Sequence, residues 1–84
     1  MDKSIKCLLL DVDNVIITEV EEVQAEIGDP NCKLINPYRF YGDGKLEPWP
    51  KGTNDTELML RAEDILTIVD PTPELIEQYL ELTS

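Results

Sequence analysis

The chain is expected to be mostly β: a strongly bent five-stranded antiparallel barrel over residues 5–70, followed by a helix over 72–83. Three observations predict this single-domain arrangement. Short apolar runs alternate with clusters of Gly, Pro, Asn and Asp, as strands and turns do. The second run slips phase partway along, whereas a flat strand keeps one phase. The last segment carries a cap and an apolar stripe at helical spacing.

The first strand is "IKCLLLDV", residues 5–12. Leu8, Leu10 and Val12 share the face that points to the core, and Asp11 falls on the other. Asp13 and Asn14 follow as a hairpin turn, since both side chains tolerate positive φ. The second strand, "VIITEVEEVQAEI", puts Val15 and Ile17 on one face. Glu19 and Glu21 then occupy that face, and Val23, Ala25 and Ile27 make it apolar again. The slip predicts a bulge or sharp bend in this strand. "GDPN", residues 28–31, is a turn, and "CKLINPYRFY" is the third strand. Pro37 cannot donate a ladder hydrogen bond, so it belongs at an edge, a bulge or a strand end.

Residues 42–56 read as a polar loop rich in Gly and Pro. Trp49 lies in it between two prolines. Its ring is expected to pack over the barrel mouth, with ligand stacking or partner anchoring as the alternative. The fourth strand is "ELMLR", then "AED" a tight turn, then "ILTIV" the fifth strand. Leu58 and Leu60 share one face and Met59 is apolar on the other. In the fifth strand Leu66 and Ile68 on one face, and Ile65 and Val69 on the other, are all apolar. A lone antiparallel sheet normally wets one face. A neighbouring subunit over Leu58, Met59, Leu60, Ile65, Leu66 and Ile68 is therefore expected. The helix follows, with Thr72 as N-cap, Pro73 at the first helical position and Glu74 complementing the dipole. Leu75, Ile76, Tyr79, Leu80 and Leu82 form the stripe that docks it on the barrel or on a neighbour.

Composition bounds the function. A domain of 84 residues buries only roughly 60–65% of the surface its unfolded chain exposes, so oligomerisation is a natural support. The chain has no histidine and no CxxC, which removes His-based triads and the usual zinc patterns. Cys7 and Cys32 read as small buried hydrophobes in a reducing cytosol. Neither a secretory leader nor an apolar stretch near the roughly 20 residues of a membrane span is visible, so a cytoplasmic location is expected. The net charge is −11, with 18 acidic against 7 basic residues. Such a balance disfavours nonspecific nucleic-acid binding and favours basic partners or mimicry of a polyanion.

"CLLLDVDNVI" invites an enzymatic reading. Phosphatases of the haloacid dehalogenase type place an Asp nucleophile and an Asp acid/base two residues apart after an apolar strand, as Asp11 and Asp13 stand here. That reading is set aside. Asn14 stands where that family prefers Gly, and a long alternating strand follows in place of a helix-rich α/β domain. Parallel strands need crossovers of about a dozen or more residues, for which the chain lacks room. Asp11→Asn is expected to alter little beyond local stability. Glu21–Glu22 and Glu63–Asp64 are chance neighbours in so acidic a chain, so no metal, cofactor or catalytic residue is expected.

The run "LMLRAEDILTIV" resembles the second signature of the Sm-like (LSm) family, with Leu60-Arg61-Ala62-Glu63-Asp64-Ile65 at its centre. "CLLLDVDNVIITEV" resembles the opening of the first signature, and Asp29-Pro30-Asn31-Cys32-Lys33 is similar to its end. The "KCLLL", "KLINPY" and "ILTIV" elements are similar to the small Sm-like proteins of marine cyanophages. The resemblance implies an SH3-type barrel whose fourth strand pairs with a neighbour's fifth, closing a homo-oligomeric ring of about five to seven subunits. It also implies single-stranded RNA binding at the inner rim through Lys33 and Arg61, with Asp64 at the second signature's Asn. The chain departs from the family there: Lys33 replaces an amide, Ala62 replaces Gly, Asp64 would repel phosphate, and the helix follows the barrel. The alternative function is an acidic protein-binding scaffold for basic host or phage proteins, or a nucleic-acid mimic, in the host cytoplasm.

Overall fold

The computed structural model describes residues 4–11, 13–41 and 43–83. The elements run β1 (Ile5–Leu9), β2 (Val15–Glu22), β3 (Cys32–Phe40), β4 (Leu46–Pro48), β5 (Glu57–Leu60), a 3-10 turn (Ala62–Asp64), β6 (Thr67–Val69) and α1 (Pro73–Thr83). The sheet has six antiparallel strands in the order β4-β3-β2-β1-β6, with β5 also on β3. β4 pairs with Tyr38–Phe40 and β5 with Cys32–Ile35, so the two lie end to end along one side of β3.

Five of these strands lie where the apolar runs predict them. The sixth, β4, falls inside the expected 42–56 loop, of which Gly42 lies outside the described residues. Three residues are too few to show a period, and pairing to β3 makes them a strand. The second strand stops at Glu22, short of the expected Ile27. Val23, Ala25 and Ile27 keep the alternation, yet no facing strand extends that far, and Ile27 is fully exposed. The expected barrel is not closed among the described residues, since β5 and β6 do not pair with each other.

The bulge is present, but the extra residue sits in β3. Ile17 pairs with Tyr38 and Glu19 with Ile35, so Thr18 alone faces both Asn36 and Pro37. Asn36 takes a positive φ of 53° to make the step. Pro37 suits it because it has no N–H to leave unpaired. β2 keeps one phase: Ile16 and Val20 belong to one face, Val15 and Ile17 to the other. The charged Glu19 and Glu21 reflect where cover on that outer face ends.

Two apolar clusters lie on opposite faces of the sheet. Leu8, Ile16 and Leu34 form one, joined by Leu10, Val20, Trp49, Leu58, Leu60 and Ile65. Leu58 and Leu60 reach it from β5 and Ile65 from beside β6, so the sheet curls around this cluster. Leu8 and Leu10 face it as expected, and Val12 lies outside the described residues. Cys7, Ile17 and Tyr79 form the second cluster, covered by α1 through Leu75 and Leu80. The helix begins as predicted. Leu75 N–H donates to Thr72 Oγ1 at 3.2 Å.

The bulge breaks the β2–β3 ladder, and two hydroxyls repair it. Tyr79, 1% exposed, accepts from Glu19 N–H at 3.1 Å. Its O–H lies 3.0 Å from the Ile35 carbonyl and 2.9 Å from that of Asn36. Thr18, fully buried, lies 3.0 Å from the carbonyls of Glu19 and Ile35. Burial pushes the Tyr79 hydroxyl above its ordinary pKa, so it stays protonated and able to donate. Tyr79→Phe strips these groups of a partner while keeping the ring, at about 1–3 kcal/mol for a buried group left unsatisfied. The urea midpoint of the variant should fall by that loss divided by the slope, with the slope itself unchanged, and an unchanged midpoint would refute this role.

Candidate functional site

The described surface carries two kinds of feature that the fold does not use up: open strand edges, on β4, β5 and β6, and clefts between loops. β5 is bonded to β3 on one side and β6 to β1 on one side, so each presents a free edge. Of the six residues assigned to a subunit contact, Leu58, Leu60 and Ile65 serve the chain's own interior cluster. Met59, Leu66 and Ile68 are left 42%, 66% and 48% exposed, and Val69 joins them at 45%. The edges of β5 and β6 are almost uncharged. Glu57 pairs with Lys33 at 3.5 Å, and Thr67–Val69 bear no charge.

One cleft lies where the β2–β3 connection meets the 3-10 turn. It encloses about 350 Å³, with Ile27, Asn31 and Arg61 among its walls. Sequence reasoning missed its organiser, Asn31. The Asn31 side-chain oxygen accepts the Ala62 N–H at 2.9 Å, and its own N–H donates to the Leu60 carbonyl at 3.2 Å. An Asn closing a Gly-Asp-Pro turn was the available signal, because a short amide readily bonds nearby backbone.

The three residues carried over from the Sm-like resemblance are placed as follows. Arg61 lines the cleft, with its Nε donating to Asp64 Oδ2 at 3.1 Å and the Glu63 carboxylate 4.0 Å away as an ion pair. Lys33 does not line it; it pairs in register with Met59, and its Nζ goes to Glu57. The cleft therefore holds one cation, already paired, against the carboxylates of Glu26, Asp29 and Glu63. Its field opposes an anion.

Asp11 is engaged in the turn between β1 and β2. The turn spans Leu10 to Asn14, wider than the expected two residues, and closes through Leu10 N–H to the Asn14 carbonyl at 3.1 Å. Asp11 organises it. One carboxylate oxygen accepts the Asp13 and Asn14 N–H groups at 2.8 and 3.0 Å, and the other accepts the Asn14 amide at 2.7 Å. Three hydrogen bonds thus hold the Asp11 carboxylate within the turn, and Asp13 is exposed. The free thiols of Cys7 and Cys32 are buried, and burial pushes both up in pKa, with Glu22 adding to it at Cys32. Among the described residues, no group of three or more acidic or cysteine side chains could hold a metal ion. No described helix is long and apolar enough to cross a membrane.

The family model described as Family of unknown function (DUF6561) matches residues 3–84, and the chain belongs to that family. No curated protein matches the chain.

The Asn14 amide, then the Asp13 N–H, hold the Asp11 carboxyl below its ordinary pKa. The stability this adds is complete above the unfolded value of about 3.9 and is lost as pH falls through the lower folded value. Melting temperatures of the native chain and Asp11→Ala should therefore differ at about pH 6 and converge toward about pH 2. A constant difference across that range would show that the carboxylate does not carry the turn.

Proposed function

We propose that this member of the DUF6561 family is an Sm-like, self-assembling protein, and that its ring serves as an acidic scaffold for basic protein partners. Neighbouring copies pair the free edge of β5 with the free edge of β6, and about five to seven copies close the ring. The observation that carries this reading is the pair of open, apolar, nearly uncharged edges on one small chain. Such edges invite association with other strands unless they are covered. A head-to-tail contact that closes covers both, together with Met59, Leu66 and Ile68. The link from β5 to β6 through one 3-10 turn, and the curl of the sheet around Leu8, Ile16 and Leu34, support the Sm-like comparison. The −11 charge of each copy adds on assembly and supports a basic partner.

RNA binding is the second reading. The loops that the resemblance implies do share a cavity, at Asn31 and Arg61. The ion pairing of Arg61 and the surrounding carboxylates weigh against it.

Light scattering should give a particle of about five to seven times the 9.6 kDa chain mass. Ile68→Asp and Met59→Glu each put a charge on one edge and should separately yield monomers. Raising salt from about 0.05 to about 0.5 M should tighten the native ring by screening repulsion between acidic copies. A monomer at every concentration and salt would remove the ring.

Fluorescence anisotropy with short U-rich and A-rich RNA should show no saturable binding at low salt. Binding that Arg61→Ala abolishes would establish the second reading instead.

A further inference from the structure

A second cavity, of about 300 Å³, opens between the β3 bulge and the connection from β4 to β5. Its walls are Pro37, Tyr38, Pro48, Trp49 and Pro50, and Asp55 is the one charged residue that lines it. We propose that this cavity receives an arginine side chain from a basic partner protein.

The cavity is built before any ligand arrives. Trp49 N–H donates to the Pro37 carbonyl at 3.0 Å, and Asn36 N–H to the Thr56 carbonyl at 2.6 Å, tying both flanks of the connection to the bulge. Trp49 packs against the Leu8, Ile16 and Leu34 cluster, which fixes its ring. Tyr38 is held edge-on to Tyr79, with centroids 5.9 Å apart and planes at 89°. At the rim Asp55 N–H donates to Thr53 Oγ1 at 3.1 Å, which orders the acidic turn. A preformed site spares the ligand the cost of ordering the protein.

The lining selects the occupant. The volume sits at the lower end of the roughly 300–1,000 Å³ of small-molecule pockets, so it suits one side chain better than a cofactor. Among the described residues no cation lines it, so an anion would face Asp55 and the field of a −11 chain with no positive charge to offset them. A purely apolar group would make no use of the rim amides, hydroxyls and carboxylate. A guanidinium satisfies both parts: its plane stacks on an indole, and its edge donates to a carboxylate. It also sheds water more readily than an ammonium. This assignment rests on the reading of the chain as a binder of basic proteins, but not on the ring, which particle mass reports separately.

Trp49 is the only tryptophan in the chain, so its fluorescence reports occupancy directly. The full chain is titrated with a blocked Gly-Ser-Arg-Ser-Gly peptide, and with the same peptide carrying Lys or Glu in place of Arg. The Arg peptide should give a saturable change, the Lys peptide should bind at least about fivefold more weakly, and the Glu peptide should give none. Asp55 is exposed on a loop, so Asp55→Asn should keep the native melting temperature while weakening the Arg peptide about tenfold. No saturable change with the Arg peptide overturns the cavity assignment, whereas the basic-partner reading fails separately if a fluorescein-labelled oligo-arginine peptide shows no anisotropy change with the native chain at low salt. Equal binding of the Lys or Glu peptide, or unchanged affinity in Asp55→Asn, overturns the cavity assignment alone.

Discussion

The hydroxyl of Tyr79 at the β3 bulge is the contact on which the architecture turns. β3 carries Leu34 and Tyr38, four residues apart, which regular alternation would put on one face. The additional residue at Asn36–Pro37 sends them to opposite faces. Leu34 enters the cluster inside the curl, and Tyr38 enters the cluster beneath the helix. The step leaves Glu19 N–H and the Ile35 and Asn36 carbonyls without ladder partners, buried between layers. Tyr79 answers them from the helix and Thr18 from the sheet. The helix is therefore more than a lid: its aromatic residue supplies both apolar cover and the polar atom that the bent strand requires. Along its other side, the bulge is secured to Trp49 and Thr56, which gives the second cavity its floor.

The legible parts of the fold were those decided locally. Thr72-Pro73-Glu74 announces a helix start through one hydroxyl, one ring and one charge, and the helix begins there. The strands at 5–9, 32–40, 57–60 and 67–69 follow from apolar runs between breakers. The illegible parts were decided by pairing. The β2–β3 pair does hold an irregularity, but Glu19 and Glu21 did not mark it: β2 keeps its phase, and the additional residue lies in β3, on which the alternation of β2 is silent. Leu46–Pro48 becomes a strand only because Tyr38–Phe40 offers it an edge. Residues 24–27 continue the alternation and are not a strand, because backbone pairing ends at Val23, whose N–H meets the Asn31 carbonyl.

The candidate site divides the same way. Apolarity on both faces of the fourth and fifth runs was visible, yet residue type could not say which face the chain itself covers. Leu58, Leu60 and Ile65 turn inward when the sheet curls, which leaves Met59, Leu66 and Ile68 as the surplus. Arg61 was visible as a cation in a signature-like run, whereas its commitment to Asp64 depends on the 3-10 turn that brings them together. Asn31 escaped attention because its work is done by an amide on a backbone group rather than by charge.

The distribution of the scarce cations argues for the kind of partner this surface admits. Lys6 is paired with Asp70, Lys33 with Glu57, Lys51 with Glu47 and Arg61 with Asp64. Half-buried Arg39 lies over the Tyr41 ring at 4.8 Å. Exposed pairs like these add little stability, but each occupies a positive charge that a phosphate would otherwise meet. The carboxylates outnumber the cations so heavily that most remain without such a pair. Among the described residues exposed Lys45 has no such pair, and carboxylates otherwise dominate the charged surface. The same asymmetry bears on self-association. If copies associate, as proposed, repulsion between their acidic surfaces favours contact at neutral ground, and the edges of β5 and β6 offer such ground.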